Sequence, residues 1–97
     1  MTLHTVNLLP DHPDCSRCIR QLDPSDCVAF LGRGAWIANS RASWHLAWVQ
    51  SGSALYVLQD DLHACGIAEH CAPGIIPIDL DEFIALTEEQ TRQRAWF

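Results

Sequence analysis

Apolar residues along this chain fall in short, nearly unbroken runs, separated by stretches in which they recur with a helical period. Leu3 to Leu9 reads as an opening strand, closed by the turn-forming Pro10-Asp11-His12-Pro13. Pro13 suits the first position of a helix, and Cys15, Cys18, Ile19 and Leu22 then recur at i, i+3, i+4 and i+7, so they share one face. Asp23-Pro24-Ser25-Asp26 ends that helix. Cys27 to Leu31 reads as a second strand, Gly32-Arg33-Gly34 as a tight connection and Ala35 to His45 as a loosely apolar helix.

The clearest strand is Ala54 to Leu58, where aromatic and branched residues sit between Ser51-Gly52-Ser53 and a pair of acids. Asp60 or Asp61 is placed to cap a short helix that Gly66 ends. Ile75-Ile76-Pro77-Ile78 reads as a fourth strand, and its proline points to an edge or a strand end. Asp79 with Glu82 three positions on predicts a capped helix, with Leu80, Phe83, Ile84 and Thr87 on one face. Gln90 to Phe97 closes the chain in Ala95-Trp96-Phe97. Strands alternating with helices predict an α/β fold: one small domain over residues 1–97, a mainly parallel sheet of about four or five strands flanked by helices. The sequence holds no internal repeat, low-complexity segment or linker.

Composition narrows the functional classes. A chain of 97 residues, 48% apolar, sustains one core. No apolar run approaches the ~18 residues of a membrane span, and Met1-Thr2-Leu3-His4-Thr5-Val6 lacks the pattern of an export signal, so a cytoplasmic chain without a membrane partner is expected. In that compartment five cysteines, an odd number, are expected free, catalytic or metal-bound. A net charge of −6 with no lysine and scattered arginines argues against direct nucleic-acid contact.

The candidate chemistry lies in Cys15-Ser16-Arg17-Cys18. A thiol near a helix N-terminus gains from the dipole as a thiolate, and in parallel sheets reactive groups gather in the loops after the strands. The pair admits four readings. It packs the core as part of the stripe with Ile19 and Leu22; it forms a thioredoxin-like dithiol; it joins His63, Cys65, His70 or Cys71 around zinc; or Cys18 alone carries sulfur. In the last case a thiolate attacks the terminal sulfur of a donor persulfide, the donor leaves as a thiolate, and the cargo is held as Cys-S-SH for the next thiol. Arg17 favours the anion and Asp14 opposes it. The dithiol reading lacks its family's usual neighbours, and the zinc reading lacks a clean second pair of ligands, so neither a metal nor a cofactor is expected. Trp36, Trp44 and Trp48 fall at helical spacings as a buried or partner-facing stripe, and Trp96 with Phe97 reads as a core lid or an interface anchor. His4 reads as a half-buried, hydrogen-bonded histidine.

Three segments together resemble the TusB/DsrH family over the full length: Leu3-His4-Thr5-Val6-Asn7 with Pro10, Leu55-Tyr56-Val57-Leu58 followed by Asp61-Leu62 and Gly66, and Ile78 to Thr87 with Ala95-Trp96. The resemblance implies a small α/β subunit of a sulfur-relay complex, a component of a sulfurtransferase assembly whose own share in the chemistry stays open. It implies assembly with TusC/DsrF-like and TusD/DsrE-like paralogues as a dimer of heterotrimers. In the Tus branch such a complex passes persulfide sulfur from a TusA-like donor to a TusE-like acceptor for 2-thiolation of the tRNA wobble uridine. In the Dsr branch it serves dissimilatory sulfur oxidation. DsrH-type members carry a cysteine on the first helix, the position of Cys18 here, whereas Cys15 has no counterpart. After the second strand the family tends to an acidic residue before glycine, and this chain has Gly32-Arg33-Gly34, which reads as an ordinary turn and not a phosphate cradle. Either Cys18 carries cargo, or the chain is a non-catalytic assembly subunit with packed thiols. Cys27, Cys65 and Cys71 are assigned no role.

Overall fold

The computed structural model describes every residue from Met1 to Phe97, and at its centre five strands pair side by side, each parallel to its neighbours. They are β1 (Thr2–Val6), β2 (Cys27–Phe30), β3 (Ala54–Leu58), β4 (Ile75–Ile78) and β5 (Arg92–Trp96), in the order β4-β3-β2-β1-β5. Parallel neighbours need long crossovers. Helix α1 (Pro13–Gln21) joins β1 to β2; a 3-10 helix (Gly32–Ala38) and α2 (His45–Val49) join β2 to β3; α3 (Gln59–Ala64) and a 3-10 turn (Ala68–His70) join β3 to β4; α4 (Leu80–Glu89) joins β4 to β5.

Register and the two-residue period divide the side chains between two faces. His4, Val28, Leu55 and Ile75 form one row, Val6, Phe30 and Val57 the next, and both point to the face covered by α1, α2, α3 and the long 3-10 helix. There Cys15, Cys18, Ile37, Trp48 and Leu62 complete the main core, with the Trp48 ring meeting Phe30 edge-on at 5.0 Å. The other face carries Leu3, Ala29, Tyr56 and Ile78 and has only α4 over it, because β4 returns to β5 in the opposite direction and a right-handed crossover then lies on the opposite side.

Several predicted elements hold. Cys15 and Cys18 are buried while Ile19 and Leu22 pack against the same core; Asp79 and Glu82 close a reciprocal capping box; β4, with Pro77, is an edge strand. Others differ. The opening strand stops at Val6, four residues into the run, because Asn7 and Leu8 already turn over the sheet end. The helix expected over Ala35 to His45 is instead the 3-10 helix Gly32–Ala38, a bridge from Asn39 to Cys71, and the separate short α2. The tryptophan stripe disappears with it: Trp48 is buried while Trp36 and Trp44 are exposed on different segments. Neither Asp60 nor Asp61 caps α3, which starts one residue earlier at Gln59; the Asp61 carboxylate reaches across to the Gly32 N–H at 2.7 Å. On α4, Leu80 and Ile84 are exposed, and Phe83, Leu86 and Thr87 are the half-buried positions.

Candidate functional site

Pro13 starts α1, and the His12 side chain accepts the Asp14 N–H at 3.0 Å, satisfying one free donor of the first turn. This places Cys15 in the first turn and Cys18 one turn on, both directed inward. The Cys15 thiol donates to the Leu9 carbonyl at 3.5 Å, and Cys18 has 0% exposure. Burial raises the Cys15 thiol above its usual value, and Asp14 and Asp11 raise it further. Burial is also the main reason that Cys18 is pushed up to about 12; Cys15 and Asp26 add to the rise and Arg94 offsets part of it. At neutral pH both are protonated thiols in apolar surroundings, the opposite of the exposed, electropositive setting in which a thiolate forms easily. Arg17 does not serve them, since its guanidinium pairs with Asp14 at 3.1 Å on the surface.

The cation near Cys18 comes from β5. Arg94 stacks over the Trp96 ring, 4.3 Å from its centroid, and its guanidinium donates to the Gln21 side-chain oxygen. Trp96 Nε1–H donates to His4 Nδ1 at 3.1 Å, and because an indole nitrogen can only donate, Nδ1 must be the acceptor. The remaining ring proton therefore sits on Nε2, which faces Asp26 Oδ2 at 3.1 Å. Asp26 also accepts the Thr2 and Asp23 N–H groups at 2.9 and 3.1 Å. Burial acts to raise the Asp26 carboxyl, and its hydrogen bonds outweigh that and hold it below the usual value. This buried chain of contacts joins the first strand, the start of β2 and the last strand. A polar cleft of about 320 Å³ opens beside it.

At the carboxyl ends of the strands lies a cleft of about 160 Å³ bounded by Asn7, Leu8, Leu9, His12, Arg33 and Phe97. The Gly32-Arg33-Gly34 turn borders it and has no free backbone donors with which to cradle an anion: Gly32 N–H goes to Asp61, Arg33 N–H to Asn7 Oδ1 and Gly34 N–H to the Leu31 carbonyl. The two glycines are steric requirements, Gly32 with φ of +52° and Gly34 because a Cβ there would lie 2.2 Å from the Val6 carbonyl oxygen. His63, Cys65, His70 and Cys71 do not join the α1 cysteines, and no three His, Cys, Asp or Glu side chains converge in a geometry that holds a metal.

The sequence pattern located the thiols and their common face; it did not locate Arg94, Asp26 or the partners of His4. No local signal was available, since the contacts of Arg94 with Gln21 and of Trp96 with His4 span 73 and 92 positions.

A protein-family profile described as DsrH like protein matches residues 10–93. Protein TusB of Pectobacterium parmentieri is 33% identical over 94 residues, covering 97% of this chain and 99% of that protein. Protein TusB of Klebsiella pneumoniae strain 342 is 36% identical over 97 residues, with the same coverage of both. Among solved structures, the ychN protein from E. coli superposes with a TM-score of 0.78 over 98% of this chain and 97% of that one, at 8% identity, a likeness of fold alone.

Proposed function

The chain belongs to the DsrH-like family that includes proteins named TusB, and from that premise we propose that it is a subunit of a cytoplasmic sulfur-relay complex that serves 2-thiouridine formation at the tRNA wobble position. The match to TusB proteins over nearly the whole of both chains is the observation that carries this reading. Its partners are TusC/DsrF-like and TusD/DsrE-like paralogues in a dimer of heterotrimers, which take persulfide sulfur from a TusA-like donor and release it to a TusE-like acceptor. A DsrH-like role in dissimilatory sulfur oxidation would use the same assembly with a different acceptor.

Within the relay the chain contributes assembly, and a sister subunit holds the cargo. Relay chemistry moves a sulfane sulfur by attack of a thiolate on the terminal atom of a persulfide: one S–S bond forms, one breaks, and the donor leaves as a thiolate with no net oxidation. Cys18 is poorly placed for that step, with no solvent exposure and its thiol pushed up to about 12. Carriage on Cys18 would require α1 to lift from the sheet.

The test is a sulfur-transfer assay on the complex copurified with both paralogues, with mass spectrometry of every cysteine after exposure to a persulfide donor. Cys18→Ala is expected to leave sulfur flow within about twofold of the wild type, with extra sulfur found on a sister subunit. Extra sulfur on Cys18, with a large loss of transfer in Cys18→Ala, would return the carrier role to this chain. A complex that acquires no sulfur on any subunit would end the relay reading.

A further inference from the structure

Helix α4 covers its face of the sheet incompletely. It buries no residue fully, and beside it a groove of about 230 Å³ is left open between the helix and strands β3 and β4. The floor is apolar, made by Tyr56 and Ile78, and the helix wall by Ala85 and Leu86. Ile76 pairs in register with Tyr56, so it extends the same surface, and it is 55% exposed. Glu82 and Glu89, a helical repeat of seven apart, stand along the helix side of this groove. No cation pairs with them: the chain's ion pairs involve only Asp26 and Asp14, and the arginines that follow α4, Arg92 and Arg94, line the polar cleft beside His4 and Asp26 instead.

We propose that this groove is the docking surface for a sister subunit of the relay, through an apolar side chain flanked by arginine or lysine. The inference rests on the assembly role argued above and adds which surface is used and what chemistry it takes. Charge selects among occupants. A second copy of this chain docked about a two-fold axis would bring Glu82 and Glu89 against their own counterparts, with like charges meeting at the rim. A nucleic-acid or anionic lipid surface meets the same repulsion. A basic-rimmed apolar knob instead fills the floor, and its cations meet the two carboxylates as the water leaves.

Glu89→Arg is the decisive variant. Glu89 lies in the last turn of α4, where a cation suits the helix dipole, so the exchange reverses the rim charge without weakening the helix. Ala85→Arg, which blocks the groove itself, is the second, with circular dichroism and the melting midpoint of the isolated chain as folding checks. Binding of the purified full-length chain to its copurified TusC/DsrF-like and TusD/DsrE-like paralogues is measured at several salt concentrations. Each variant is expected to raise Kd at least about tenfold, and Glu89→Gln to flatten the salt dependence. Glu69→Arg, an equal charge change on the 3-10 turn after α3, is expected to leave Kd within about twofold. Unchanged binding by both groove variants overturns the docking site while leaving the assembly role standing, as does an equal loss in Glu69→Arg. Self-association of the isolated chain that Glu89→Arg abolishes assigns the groove to a second copy and overturns it too. A wild-type chain that binds neither paralogue overturns both readings.

Discussion

Asp26 is the one carboxylate this fold buries, and its partners decide whether burial stabilises or harms. Removing it in Asp26→Ala strands the His4 Nε2 proton and the Thr2 and Asp23 N–H groups together, so a loss of about 3 kcal/mol is expected by denaturant unfolding. The pH dependence has a definite sign. The folded carboxyl lies below its unfolded value of about 3.9, so its contribution is fully present above that value and is lost as pH falls through the folded one. Asp26→Asn should therefore lose less stability than the wild type on acidification below about pH 4; parallel curves for the two would show that Asp26 is not the linked group. Cys18 acts at the other end of the scale. Its folded value is raised from 9.0 to about 12, so the contribution of the neutral thiol is complete below the unfolded value and falls away as pH climbs through that interval. Unfolding titrations should show an alkaline loss of stability above about pH 9 that is smaller in Cys18→Ala, and an iodoacetamide label at pH 8 should reach Cys18 only on unfolding.

Elements were legible where a single face met a single core. The α1 stripe, the α4 capping box and the β3 run each state their partner in a few adjacent residues, and each is in place. Asp79→Ala, which removes the box, should cost about 1 kcal/mol, and a melting midpoint equal to the wild type would count against it. The helix expected over Ala35 to His45 does not form, because the apolar residues of this segment serve several neighbours. Ala35, Ile37 and Ala38 enter the core while Trp36 looks out, a pattern without the period of one long helix. Its course is fixed at Gly34, which approaches β1 too closely for any side chain; Gly34→Ala should cost more than about 2 kcal/mol, the penalty of forcing a methyl into backbone that cannot yield. The last strand was invisible for the reverse reason. Arg92, Gln93, Arg94 and Ala95 are all exposed at the edge of the sheet, so no apolar alternation marks them as a strand. Their meaning comes from His4 and Trp96, which lie 92 positions apart in the chain, beyond the reach of any local pattern. The candidate site was legible to the same extent: the pattern placed both thiols on the core-facing stripe and left packing and chemistry as alternatives, and the completeness of their burial came from the tertiary fold alone.

The two faces of the sheet differ in how completely they are closed, and that asymmetry governs how the protein behaves by itself. One face carries three helices and a 3-10 segment around 17 interlocked buried residues; the other has α4 alone, with Leu80 at 58% and Ile84 at 45% exposure and no residue of the helix fully buried. Local stability follows buried apolar contact, so α4 should be the first element to open. Native-state hydrogen exchange on the isolated chain is expected to give amides of Leu80–Glu89 opening free energies at least about 2 kcal/mol below those of β1 to β3. Equal protection throughout would mean that α4 needs no partner. Binding to the folded form alone adds RT ln(1 + [L]/Kd) to stability, so saturating paralogues at about 100 times Kd should raise protection by about 2.7 kcal/mol for amides that exchange through global unfolding. If the partner docks in the groove, the rise at α4 should equal this, because local opening of the helix then abolishes binding just as global unfolding does. A rise confined to the α1 face would place the partner on the wrong side of the sheet.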